Sequence, residues 1–391
     1  MLSTSIAAST SSQAGSTAAA NHASERRLIA RISRRMVTED RTFALEVEFT
    51  ADPGFTILFG PSGAGKTTLL DCIAGLSTPD AGVIVAGRQV MFDSSKSVHV
   101  PAMKRRIGYV FQDLALFPHL TARQNIEYGL AHLPPAQRKE RSAAIMQALR
   151  IEALAQRKPR EISGGERQRV ALARTLVTDP AVLLLDEPLA ALDAPTKSRI
   201  VDDLRSWNHA HGIPILYVTH SREEVFALGE RAVVLDQGRI LAQGTPHEVL
   251  NAPRQETVAQ LAGFENIFDA KVESLHADRG TMTCTLAGNS DAVALETPLV
   301  QAATGDSLRI GIRAGDILLA SQRPIGLSAR NVMAGKIVAL EQRDVIVAAR
   351  VDCGVEMEVH LTLAARDSLQ LNLAREVWLV IKTHSCHLMQ R

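Results

Sequence analysis

Cysteine is scarce and scattered: Cys72, Cys284, Cys353 and Cys386 lie far apart, and none forms a CxxC pair. That argues against a disulfide framework or a zinc site and fits a reducing compartment. No run of 18 apolar, uncharged residues occurs, so no segment reads as a membrane-spanning helix. Neither sign of charge is in excess, with Lys+Arg 43 against Asp+Glu 42, which offers no general attraction to nucleic acid or anionic lipid. The first 24 residues lack Asp, Glu, Lys and Arg altogether, and they lack the apolar stretch that a secretory leader needs. Seventeen of them are Ser, Thr or Ala, too little apolar surface to offset the entropy of ordering. A disordered or spurious extension over residues 1–28 is expected; the alternative, drawn from the arginines that follow, is an organellar transit peptide. What the chain does have is 46% apolar residues over 391 positions, enough core for two or three domains.

Hydrophobic patterning divides it. Phe43–Phe49 alternates apolar and polar residues like a half-buried strand, and Phe55–Phe59 is a short apolar run ending at Gly60. A helix-forming stretch begins at Lys66; Ala181–Leu185, Ile213–Val218 and Val233–Asp236 read as further buried strands. Strands interleaved with helices imply a parallel α/β sheet over residues 29–262. Within it, Leu116–Arg160 reads as mainly helical, so a helical subdomain is expected at about 113–165. After Glu265 come short β-like runs: Ser307–Ile312, Asp316–Ala320, a hairpin pattern around Asp352-Cys353-Gly354, and Glu376–Lys382. A small, barrel-like all-β domain is expected over 263–391. No internal repeat is evident.

Gly60-Pro61-Ser62-Gly63-Ala64-Gly65-Lys66-Thr67 fits GxxxxGK[ST] between a strand and a helix, with Thr68 following. Glycines there let successive N–H groups turn toward phosphate oxygens, and the helix N-terminus adds partial positive charge. Lys66 can reach the β- and γ-phosphates and the Thr67 hydroxyl can ligate Mg²⁺. Asp186-Glu187 ends the apolar run Ala181–Leu185, where an open α/β sheet binds ligands. Alone, that pair is commonly a strand terminus; with the phosphate loop it becomes a metal carboxylate and a candidate base for the attacking water. Ser163-Gly164-Gly165-Glu166 before a helix is a third anion-receptive segment. A plain N-cap with a flexible turn explains Ser163 but not the set.

Ile162-Ser-Gly-Gly-Glu-Arg-Gln-Arg169 resembles the signature of the ATP-binding-cassette (ABC) ATPases, with Ile162 in place of the usual Leu. Gln112 in Tyr109-Val-Phe-Gln, Ala191-Leu192-Asp193 and His220 in Val218-Thr-His follow in the family's order, over roughly residues 29–250. The resemblance implies a RecA-like P-loop core with a helical subdomain, and a head-to-tail homodimer holding two MgATP at its interface. It implies that Gly60–Thr68 grips the phosphates and that Ser163–Glu166 caps the γ-phosphate from the other subunit. It further makes Glu187 the general base, His220 a contact to the γ-phosphate and water, Gln112 the sensor of γ-phosphate and Mg²⁺, and Asp193 the link between sites. Of the family's marks, the aromatic that stacks on adenine is not clear: Phe43 is the only plausible ring, and a core-facing strand residue is the stronger reading of it.

Repair and chromosome ABC proteins carry long heptad helices, translation types carry two ATPase domains, and exporters usually fuse a membrane domain. None of these is seen here. A separate ATPase with an appended β domain resembles an importer subunit, and Phe111–Leu120 resembles the region where a permease helix docks. In the tail, Gly326-Leu-Ser328-Ala329-Arg330-Asn331, Gly335-Lys-Ile, Leu363–Leu369 and Val377–Lys382 resemble the molybdate-binding (Mop-like, TOBE-type) domain. Ser328, Ala329, Arg330, Asn331 and Lys382 are its candidate oxyanion donors. The blander alternative is a dimerising domain in which Asn331 makes a turn and Lys382 is a solvated charge. The expectation is an importer ATPase for molybdate, with tungstate, sulfate, ferric iron or polyamine as competitors and an oxyanion-sensing tail as a further option. Implied partners are a second copy, permease subunits and, indirectly, a periplasmic binding protein, with no nucleic acid; the implied location is peripheral, on the cytoplasmic face of the inner membrane.

Overall fold

The computed structural model describes residues 26–37, 42–190, 192–251, 253–287 and 293–389. The extension expected over 1–28 lies outside them except for its last three residues, as does Ala191. They form two compact units that part between Pro246 and His247, ahead of the boundary expected at 262/263. The segment after Pro246 packs on the β unit because Arg313 donates to the Leu250 carbonyl at 2.9 Å and its guanidinium lies 4.2 Å from the Phe264 ring.

The first unit runs β1 (Leu28–Val37), β2 (Thr42–Ala51), β3 (Gly54–Phe59), α1 (Lys66–Ala74), β4 (Ala81–Ala86), β5 (Gln89–Asp93), β6 (Val98–His99) and β7 (Ile107–Val110). It continues with α2 (Ala122–Tyr128), α3 (Pro135–Ala148), α4 (Gly164–Leu176), β8 (Val182–Asp186), α5 (Ala194–His211), β9 (Pro214–Thr219), α6 (Arg222–Leu228), β10 (Arg231–Asp236) and β11 (Arg239–Gly244). One sheet has the order β6-β5-β4-β1-β2-β11-β10-β3-β9-β8-β7. From β10 to β7 the neighbours are parallel. Strands β3, β8 and β9 are buried along their whole length, which is why they read as unbroken apolar runs. Parallel pairing aligns their C-terminal ends, so the loops after β3, β7, β8 and β9 share one edge. Strands β1, β4, β5 and β6 form an antiparallel arm that the sequence pattern did not reveal. In β1, Arg31 interrupts the buried Ala30 and Ile32 and pairs with Glu48 across the ladder.

After a helical turn at His247–Asn251, the second unit has α7 (Glu256–Leu261), then β12 (Asn266–His276), β13 (Thr281–Leu286), β14 (Val293–Pro298), β15 (Ser307–Ile312) and β16 (Leu318–Ala320). There follow β17 (Asn331–Arg343), β18 (Ile346–Asp352), β19 (Glu356–Thr362), α8 (Leu363–Ser368), β20 (Glu376–Ile381) and β21 (His387–Met389). The expected hairpin is β18–β19, turning at Cys353–Val355. The strands build two five-stranded antiparallel sheets, β14-β13-β12-β15-β21 and β19-β18-β17-β20-β16, around one shared core. Their plans are identical: each half keeps four strands and lends its last short strand to the other sheet. Asn266, first in β12, bonds both backbone groups of Glu358, and Asn331, first in β17, does the same to Glu296. The unit is therefore an internal repeat, contrary to the sequence reading, carried by topology and by two asparagines rather than by extended identity.

Candidate nucleotide site

The loop after β3 is shaped by glycine. At Gly60 a Cβ would collide with the Leu235 carbonyl, and at Gly65 (φ 101°) it would lie 2.6 Å from the Phe43 ring. Gly65 precedes α1 and no side chain caps that helix, so its first-turn N–H groups are left for an anion. Lys66 is buried, and its ammonium donates to the carbonyls of Gly60 at 2.9 Å and Pro61 at 2.8 Å. Burial lowers its pKa, and the charges of Glu187 and Asp186 oppose that. The Thr67 hydroxyl donates to Asp186 Oδ2 at 2.8 Å. Asp186 ends β8 in the interior; burial raises its pKa, while the Thr67 hydrogen bond works the other way.

Glu187 follows with φ 45°, a left-handed conformation that strains a non-glycine residue. Its N–H donates to the Val218 carbonyl at 3.1 Å, which fixes the turn against β9. His220, exposed just past β9, brings Nδ1 to 3.4 Å from Glu187 Oε2. Ser62, Gly63, Gly65, Lys66, Thr67, Thr68, Gln112, Asp186 and Glu187 line one depression of about 240 Å³ with Met36 and Phe43. Phe43 also packs against the buried core.

Ser163, Gly164, Gly165, Glu166 and Asp193 do not line this depression. Ser163 caps α4, accepting from Glu166 N at 3.3 Å while the Glu166 carboxylate accepts from Ser163 N at 2.7 Å. Asp193 caps α5. The two helix starts adjoin: a Cβ on Gly165 would lie 2.5 Å from Thr196 Cγ2, and one on Gly164 would lie 3.6 Å from Leu192. These residues thus form a cluster of their own, apart from the lining of the depression. In the tail, the candidate donors differ in their settings. Asn331 is buried, its amide taken up by Glu296 at 2.7 and 2.9 Å, whereas Ser328, Arg330 and Lys382 are exposed.

Sequence reading missed Tyr109, whose hydroxyl donates to Asp71 Oδ1 at 3.4 Å and whose phenol is raised by burial and then by Asp186. The only available signal was its place three residues before Gln112. Asp71, one turn after Thr67, is also raised by burial.

A family model for the ABC transporter matches residues 45–190, and one for the TOBE domain matches residues 327–388. The molybdenum import ATP-binding protein of Rhizobium etli is 39% identical over 343 residues, covering 87% of this chain and 95% of its own length. That of Rhizobium meliloti is 40% identical over 351 residues, covering 88% and 95%. The chain belongs to the ABC transporter ATP-binding protein family. Among solved structures, a component of an ABC transporter complex from Clostridium perfringens aligns with a TM-score of 0.51 at 30% identity, over 57% of this chain and 90% of that one. A dimeric bacterial ABC transporter cassette aligns with a TM-score of 0.50 at 28% identity, over 56% and 98%. ATP binding goes with membership of this family, and no described helix is long and apolar enough to cross a membrane.

Proposed function

We propose that this chain is the ATP-hydrolysing subunit of a molybdate importer, acting as a head-to-tail homodimer docked to a separate permease on the cytoplasmic face of the membrane. The observation that carries it is the meeting of Lys66, Thr67, Gln112, Asp186 and Glu187 on one depression at the C-terminal edge of the parallel strands. The substrate follows from the relatives' names and the TOBE-type tail.

The N–H groups from Gly60 to Thr68 cradle the phosphates, and Lys66 exchanges its loop carbonyls for β- and γ-phosphate oxygens. Thr67, Asp186 and Gln112 supply only oxygen donors of the hydroxyl, carboxylate and amide kind, a set that suits Mg²⁺. The buried Asp186 gains a countercharge from such an ion, which would neutralise developing phosphate charge. Glu187 takes the proton of the attacking water, and His220, 3.4 Å from it, steadies that carboxylate and the γ-phosphate. Ser163–Glu166 of a second copy closes the γ-phosphate side, with Asp193 between the two sites. Phe43 stacks on the adenine.

Membrane vesicles holding this chain with its permease test the reading. ATP-dependent accumulation of molybdate over sulfate is expected, and Lys66→Ala should abolish it by weakening nucleotide binding. Accumulation of sulfate alone would refute the substrate; unchanged ATP affinity in K66A would refute the phosphate-loop assignment.

A further inference from the structure

Glu224 takes no part in the chemistry above, yet it is only 7% exposed. A buried carboxylate is costly unless its oxygens are paired, and here they are. Oε2 accepts the Tyr217 hydroxyl at 2.9 Å and the Thr219 hydroxyl at 2.8 Å. Oε1 meets Lys197 Nζ at 3.1 Å. Tyr217 and Thr219 stand two apart on β9 and so share a face. Burial and then the Glu224 charge push the Tyr217 phenol well up, which keeps it a donor. Thr219 Oγ1 also accepts from Ser221 N at 3.0 Å, and Ser221 Oγ accepts from Glu224 N at 3.4 Å. Both residues flanking His220 are therefore bound, directly or through one bond, to Glu224. Lys197 lies in the first turn of α5, and its N–H donates to the Asp193 carbonyl at 3.0 Å.

We infer that Glu224 is a positioning residue for hydrolysis: it locks the turn bearing His220 at its station beside Glu187 and ties that turn to the helix capped by Asp193. The inference rests on the ATPase reading above. Nucleotide is gripped elsewhere, by Lys66 and Thr67, so Glu224 governs turnover rather than affinity. A misplacement of about 1 Å in a reacting group costs up to about 10²-fold in rate.

Glu224→Gln keeps the side chain's shape and removes its charge. In the purified full-length chain, kcat for MgATP should fall about tenfold while KM stays within about twofold. In a His220→Ala background the same change should alter the residual kcat by less than about twofold, because both substitutions act on one device. A wild-type kcat in E224Q, or losses that multiply across the two substitutions, overturns the inference. Should E224Q fail to fold, Thr219→Val removes one donor from the same carboxylate and should lower kcat with KM held; an unchanged kcat there refutes the role equally. A wild-type chain without ATP hydrolysis would instead overturn the underlying reading, and this inference with it.

Discussion

Lys66, Asp186 and Glu187 in the nucleotide-binding unit and Asn266 and Asn331 in the β unit are all polar groups set against a core, and they are treated in opposite ways. Lys66 is buried with its pKa lowered, Asp186 is buried with its pKa raised, and Glu187 holds φ 45°. Each is a local cost, and all three open on one depression. The two asparagines carry no charge, and each amide is spent on both backbone groups of one residue in the opposite sheet, at 2.7–2.9 Å. Strain and shifted protonation mark where chemistry happens, and closed hydrogen-bond pairs mark where the fold is fastened. A buried polar residue is informative only once its remaining bonding capacity is counted.

The strongest test of the first half of that contrast is Glu187→Gln. Hydrolysis should drop about 10²–10³-fold, since a positioned general base contributes on that order, while ATP still binds. ATP binding by equilibrium titration and steady-state hydrolysis separate the two; hydrolysis within tenfold of wild type would remove Glu187 from the chemistry.

Asn331→Ala probes the other half. Two hydrogen bonds are lost and two backbone groups of Glu296 are stranded, a loss of about 2 kcal/mol. Denaturant unfolding of the full chain should show the β unit melting earlier, with kcat for ATP unchanged. Asn266→Ala should cost a similar amount if the repeat is equivalent in energy as in plan. A fall in kcat without a fall in stability would mean that Asn331 serves a site after all.

Legibility in the sequence follows the same division. Lys66, Thr67, Asp186, Glu187 and Gln112 stand out because parallel strands write themselves as apolar runs and their chemistry sits at fixed positions just past the ends. The arm is hidden because β1 mixes charge with apolar residues, as Arg31 does between Ala30 and Ile32, while β4, β5 and β6 are short, at 6, 5 and 2 residues. The repeat in the β unit was hidden because exchange of β16 and β21 between sheets is a property of the folded chain that no local pattern encodes. The sequence names Asn331 as a donor but not the Glu296 carbonyl that it already serves. Glu224 went unremarked because a Glu in the first turn of a helix is ordinary; only Tyr217, Thr219 and Lys197 around it make it unusual.

The smallest expected effect concerns His387 in the β unit, a titratable group that is fastened rather than free. Its ring meets Phe264 edge-on at 4.8 Å, and the Arg313 guanidinium lies over the other ring at 4.2 Å. Burial holds the imidazole below its ordinary value of 6.5, the Arg313 charge adds to that, and Asp316 opposes both. The unfolded chain therefore takes up a proton near the ordinary value while the folded chain resists it. The stability that His387 contributes is fully present above that value and is lost as pH falls through the depressed one. The melting temperature of the β unit should thus decline as pH falls below about 7, and His387→Gln should flatten the decline without touching ATP turnover. Parallel curves for variant and wild type would mean that the ring is solvated at this position, and that the β unit, like the nucleotide unit, leaves a polar group open.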